Sequence, residues 1–230
     1  MDNRVGDVTS HRLSDDNHMT SYTIRNLPLF PLEVVLFPGS LLPLHIFEER
    51  YKTLINECIQ QNKEFGINYV NAARMSPVGC SAILKKVVKE HGDGRKDIIV
   101  VGKSRYTVKH LVESTAPYFV AKVSFFNDRE EEVDDILRRH TIELYNRFVE
   151  AAFKGTVAKV PEGSSETVIS FVLVQKAGLE LKDRQEVLTL KSENERLALL
   201  SRHFESTLPL VASQEEHKRL VLNDGYLSPT

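Results

Sequence analysis

Tryptophan is absent from this chain of 230 residues, cysteine occurs twice and methionine three times, and acidic and basic residues nearly cancel to a formal charge of -2. Each shortage removes a class of protein. Two cysteines, Cys58 and Cys80, with no Cys-x-x-Cys pair, cannot staple a small secreted domain or supply a four-thiolate metal site. They read as small buried apolar residues and, with no secretory leader in the sequence, they fit a reducing cytoplasm. The near-balanced charge, with 41% hydrophobic and 27% charged residues, is that of an ordinary globular protein and gives no global signal for nucleic acid. Also missing is any proline-free apolar run of the roughly 20 residues that a membrane helix needs.

Catalytic motifs are missing as well. No Gly-x-x-x-x-Gly-Lys-Ser/Thr occurs. The fragment Gly102-Lys103-Ser104 has Asp97 where a phosphate loop needs glycine, and strand-like residues follow it where a helix N-terminus should cradle the phosphate. Gly163-Ser164-Ser165 lacks the strand-turn-helix frame of a nucleophile elbow and reads as a turn into a helix cap. The eight histidines show no His-x-x-x-His spacing. His45 reads as a hydrogen-bonded structural histidine, and Glu48 with Arg50 as a mutually paired structural couple. The expectation is no catalytic residue, no metal and no cofactor.

What the chain does have is "LPLFPLEVVLFPGSLLPLHIF", Leu27 to Phe47, in which thirteen of twenty-one side chains are Leu, Ile, Val or Phe. Its length suggests a membrane span, but Pro28, Pro31, Pro38 and Pro43 each remove a helix donor at about 3 kcal/mol or more. The segment reads instead as short strands cornered by proline, with a turn at Pro38-Gly39. The period then changes: Phe47, Tyr51, Leu54, Ile55, Cys58 and Ile59 mark one stripe of an amphipathic helix.

These residues resemble the N-terminal, substrate-binding domain of Lon-type ATP-dependent proteases. The similarity is carried by Leu27 to Pro31, Leu36 to Gly39, Leu42 to Glu48 and Arg50-Tyr51, and continues at Gly79 to Ala82, Arg105 to Val108 and Pro117 to Ala121. The resemblance implies an α+β fold: a PUA-like β-barrel, or pseudo-barrel, with one inserted helix, followed by a C-terminal helical bundle. The expected division is a disordered arm over 1–21, the β-domain over 22–127, the bundle over 128–210 and a tail over 211–230.

Local patterns fill in that outline. A strand is expected at Phe65 to Val70, and a long hairpin closed by His91 to Gly94. "NDREEEVDD" reads as a charge-dense linker, with a long helix after it from Val133 to Ala152. A second helix is expected from Ser165 to Lys176, ended by Gly178, and a third over "LKDRQEVLTL". A fourth opens on a capping box of Ser192 with Glu195 and stops at Pro209.

The resemblance implies a non-catalytic module that binds unfolded or specific client proteins, as a chaperone-like factor or as an adaptor for a separate full-length protease. Leu36, Phe37, Leu41 and Leu42, around the Pro38-Gly39 turn, are the candidate peptide contacts. A different reading rests on charge. Between Ser81 and Val112, eight cations face three carboxylates, and PUA-like barrels often bind RNA. Under that alternative Lys85, Lys86, Arg95 and Lys96 would track phosphates. No membrane partner is expected.

Overall fold

Proline and glycine decide where the first strands end. In the computed structural model, which describes residues 24–223 apart from 73, 162 and 165–167, β1 (Ile24–Leu32) runs extended through two prolines, and the chain then turns at Gly39 with φ of 76°. That left-handed φ favours glycine because it has no Cβ. β2 (Leu41–Ile46) follows, then α1 (Glu49–Gln61), β3 (Phe65–Asn71), β4 (Arg74–Glu90), β5 (Lys96–Val112) and β6 (Phe119–Phe125). The remainder is helical: α2 (Asp135–Phe153), α3 (Ser170–Leu173) running into a 3-10 turn (Val174–Lys176), α4 (Leu181–Thr189) and α5 (Glu193–Asn223). The expected arm over 1–21 and the last seven residues of the tail lie outside the described residues.

The six strands form one sheet in the order β2-β5-β4-β3-β1-β6, and β5 also pairs with β6. β1 and β3 are parallel, so the chain must cross over between them, and α1 lies in that crossover. The other pairings are antiparallel. β5 is long enough to serve both ends of the sheet: its first half pairs with β2 and its second half with β6. Three register shifts along β4 and β5 supply the coiling. The molecule is thus mixed α+β with a sheet that returns on itself, not a clean barrel, because the Pro38-Gly39 turn sends β2 to β5 alone.

Two buried clusters hold the chain. The smaller lies within the coiled sheet: Leu27, Leu29, Tyr106, Ala121 and Val123. Tyr106 is fully buried and its hydroxyl donates to Asn68 Oδ1 at 2.5 Å, with Gly79 leaving the space for its ring. The larger runs from Phe30, stacked on Tyr51 at 4.0 Å, through Phe37 and Phe171 to Tyr145, Phe148 and Phe204 between α2 and α5. Asp134 caps α2 by accepting from the N–H groups of Ile136 and Leu137.

Several boundaries differ from the sequence reading. α1 begins at Glu49, and Phe47, left 60% exposed in the extended chain before it, is not part of its buried stripe; Ile59 is exposed too. The helix expected from Ser165 shrinks to α3 and its 3-10 turn, where β-branched Val168, Ile169, Val172 and Val174 weaken helix propensity, and residues 165–167 lie outside the described set. α5 does not stop at Pro209 but passes through it to Asn223. Proline costs only the bond to the Glu205 carbonyl, while Leu208 and Val211 on either side pack against the core.

The charged segment before α2 is strapped down. Glu131 accepts from Ser192 Oγ at 2.7 Å and from the Asn194 N–H, Arg129 pairs with Glu195 at 2.5 Å, and Asn194 Nδ2 donates to the Glu132 carbonyl. The capping box at α5 is therefore half formed: Ser192 Oγ accepts from the Glu195 N–H, but the Glu195 carboxylate is taken by Arg129.

Candidate functional site

Among the described residues, β2 has a strand on one side only. The Gly102 N–H donates to the Ser40 carbonyl at 2.9 Å, so by antiparallel alternation the backbones of Leu42 and Leu44 face β5 while those of Leu41, Pro43 and His45 face outward. Proline is tolerated in a strand where its missing N–H points to an open edge. Around this edge Leu41 is 52% exposed, Leu42 half-buried and Phe47 exposed, its ring 6.0 Å from that of His45. Across β5, Val87 lies in line with Ile98 and Leu44, and Val87 and Val88 are exposed on the far arm of the hairpin.

The four candidate peptide contacts divide into two pairs. Leu41 and Leu42 sit on the open strand, whereas Leu36 and Phe37 are buried where sheet and helices meet. Phe37 stacks 5.8 Å from Phe171, with the Arg184 guanidinium 5.2 Å from its ring centre. A second concavity, a cleft of about 480 Å³, opens between α1, β1 and β6 over Leu54, Pro28 and Val120. Ion pairing of Arg25 with Glu64 at 2.5 Å and donation from the Tyr118 hydroxyl to Glu57 at 2.5 Å set its polar rim. Burial and the Glu57 carboxylate push the Tyr118 phenol well above its ordinary value, so it stays a donor.

The four candidate phosphate contacts are not equivalent. Lys96 is buried and paired with Glu90, and Arg95 is held by Asp93 at 2.7 Å, while Lys85 and Lys86 are exposed on β4. Arg105, counted among the eight cations, points inward. Glu48 and Arg50 do pair, at 2.8 Å, on the surface beside Tyr51.

The inward course of Arg105 belongs to a network that spacing alone does not reveal. Arg105 donates to the carbonyls of Leu188 and Leu190 and to Asp128. Arg196, wholly buried, donates to both Asp128 oxygens at 2.8 and 2.5 Å, to Glu193 at 2.7 Å and to Ser170 Oγ at 2.8 Å. Phe171 lies under both guanidinium groups, 5.2 and 4.5 Å away. Burial pushes the Asp128 carboxyl up, but hydrogen bonds from Arg196 and the charge of Arg105 outweigh it and hold it below its usual value. Both guanidinium groups of this cluster are buried while Asp128 stays partly exposed, and the cluster joins β5 to α3, α4 and α5.

His45 does hold a hydrogen bond, with its Nδ1 2.6 Å from Asp97 Oδ1, and His91, which the sequence did not single out, places Nε2 2.8 Å from the other carboxylate oxygen. The two histidines are 46 positions apart, so only the sheet register brings them together. Cys58 and Cys80 are buried free thiols, pushed by burial up to about 11 and about 12. Among the described residues no helix is long and apolar enough to cross a membrane.

Comparison with known proteins adds to this geometry. The sequence model of the ATP-dependent protease La (LON) substrate-binding domain matches residues 26–205. A Lon protease of Dictyoglomus thermophilum is 23% identical over 219 residues, covering 86% of this chain but 26% of its own length. One from Roseiflexus castenholzii is 26% identical over 211 residues, again 86% of this chain and 25% of its own. The chain thus spans about a quarter of the length of these curated relatives. Among solved structures, a Lon N-terminal domain protein from Xanthomonas campestris superposes with a TM-score of 0.60 at 22% identity, covering 76% of this chain and 96% of that one. The N-terminal domain of a Mycobacterium avium complex Lon protease gives 0.59 at 14% identity, covering 79% and 98%.

Proposed function

The chain belongs to the LON substrate-binding domain family, and from that premise we propose that it is a non-catalytic cytoplasmic module that captures extended segments of other proteins along the open edge of β2. The observation that carries this reading is a strand whose outward backbone groups have no partner among the described residues and whose flanks, Leu41 and Phe47, are exposed apolar side chains. An incoming peptide supplies main-chain hydrogen bonds to the Leu41 and His45 positions and alternate side chains to the apolar flanks. Pro43 withholds one donor from the middle of that ladder, which limits affinity and keeps capture reversible. Because main-chain bonds carry little sequence information, such a site accepts many unfolded segments.

The same reading treats the self-closing sheet as a PUA-like pseudo-barrel and the paired α2 and α5 as the core of a helical bundle. It makes the chain a chaperone-like factor or an adaptor that hands clients to a separate full-length Lon protease. The test is capture of a denatured client, read as suppressed aggregation and as fluorescence anisotropy of labelled unfolded peptides, without ATP. Capture is expected, and the pair Leu41→Asp and Phe47→Asp should abolish it without lowering the melting temperature. Undiminished capture by that variant would rule out the β2 edge, and no capture by the unmodified chain would rule out the function.

A further inference from the structure

We propose that His45, His91 and Asp97 form a binding site for a divalent transition-metal ion of the zinc class. One ligand atom from each of His45, His91 and Asp97 lies within 4.8 Å of the other two, and His45 Nδ1 and His91 Nε2 each face an Asp97 oxygen, at 2.6 and 2.8 Å. The scaffold that gathers them is firm. His45 and Asp97 are direct partners in the β2-β5 ladder, at a position where backbones face away from each other and side chains approach closely. His91 opens the tight turn of the β4-β5 hairpin, closed by its own N–H to the Arg95 carbonyl at 2.8 Å and by the Gly94 N–H to the His91 carbonyl at 2.9 Å. Lys52 of α1 donates to the Asp93 carbonyl at 3.0 Å and ties that turn to the helix.

The donor set selects the ion. Two imidazoles and one carboxylate suit zinc and its neighbours, whereas magnesium and calcium want oxygen ligands throughout. Zinc bonds to nitrogen and oxygen of about 2.0–2.2 Å place tetrahedral donors about 3.3 Å apart. The present nitrogen-oxygen distances of 2.6 and 2.8 Å are shorter, so an ion entering between the three groups has to open them by roughly 0.5–0.7 Å. On binding, His45 Nδ1 and His91 Nε2 offer their lone pairs, and any hydrogen on those nitrogens moves to the opposite ring nitrogen or to solvent. The side chains are 46%, 22% and 36% exposed in the order His45, His91 and Asp97, which leaves an entry path and room for water as fourth ligand. Of the cations around the site, Lys96, Arg95 and Lys52 are paired with Glu90, Asp93 and Glu49, and Lys89, opposite Asp97 in the β4-β5 ladder, is exposed to solvent.

The site shares His45 with the proposed capture edge but uses its side chain rather than its backbone, so the two are tested separately. The full chain, stripped with chelator, is titrated with zinc against a chromophoric competitor and then with cobalt, whose visible absorption reports coordination geometry. One ion per chain is expected at this site, with tetrahedral cobalt bands and a raised melting temperature. His91→Gln and Asp97→Asn should each weaken zinc by at least about tenfold and remove the thermal shift, while circular dichroism confirms that both variants fold. Calcium and magnesium in excess should leave zinc in place. Equal stoichiometry and affinity in the double variant His45→Gln/His91→Gln would assign the ion to other histidines and overturn the site, as would the absence of zinc binding at micromolar concentration.

Discussion

Arg196 is the side chain with most to lose in this molecule, because a guanidinium with no access to water depends wholly on Asp128, Glu193, Ser170 and the Leu190 carbonyl. Removing one partner of a buried ion pair costs about 3–5 kcal/mol, since the other charge stays buried. Asp128→Asn should therefore destabilise the chain by about that much at pH 7, measured by urea unfolding. The sign with pH follows from the depressed Asp128 value: its contribution is complete above the ordinary carboxylate range and is lost as pH falls through that range and below. The gap between wild type and Asp128→Asn should accordingly narrow in acid, and a constant gap would show that Asp128 is not the responsible charge. The two thiols, pushed up to about 11 and about 12, should resist alkylation at pH 8 in the native chain and react only on unfolding. Their burial was legible from residue type alone. Single-residue roles near Pro38-Gly39 were not: composition cannot tell that Leu36 and Phe37 turn inward while Leu41, a few residues later, faces out, because that depends on which strand β2 meets.

Among the elements, most strands and α1 followed from alternation, proline corners and the three-to-four residue stripe, but Val34 to Phe37, within the segment read as short strands, forms no strand. Departures occur where local signals compete with tertiary contacts. Phe47 has the right spacing for the α1 stripe but precedes the first helical turn; Pro209 has a breaker's identity but sits between two core-packed neighbours. The charged run at Arg129 to Asp135 looks like solvated linker because its partners, Ser192, Asn194 and Glu195, are some sixty positions away. Its end is a working cap, and Asp134→Ala should cost about 0.5–2 kcal/mol in thermal or urea melts. Within the sheet, a Cβ added at Gly79 would lie 2.6 Å from the Tyr106 hydroxyl and 2.7 Å from the Ile67 carbonyl. Gly79→Ala should therefore destabilise by about 1–3 kcal/mol, the range for overpacking a filled core; a neutral substitution would mean that the Tyr106 ring has room to move.

At the scale of the whole molecule, sheet and helices share one buried cluster and one ionic junction, so they should unfold together. Far-UV helical signal and near-UV tyrosine signal are expected to give the same urea midpoint, and two separate midpoints would contradict the shared core. The family was legible because the opening signature is dense and its elements come in order; the open edge, the histidine pair and the arginine network were not, because each is assembled from distant segments. The junction also sets a timetable for synthesis. Arg105 finds its carbonyl partners 83 and 85 positions further along the chain, and Arg196 completes the set later still. While a ribosome is still making those residues, the finished strands have Phe37 without Phe171 and Arg105 without its two carbonyl partners. During that interval the nascent sheet is itself an unprotected client, and delay before α5 emerges is when the chain is most prone to aggregate.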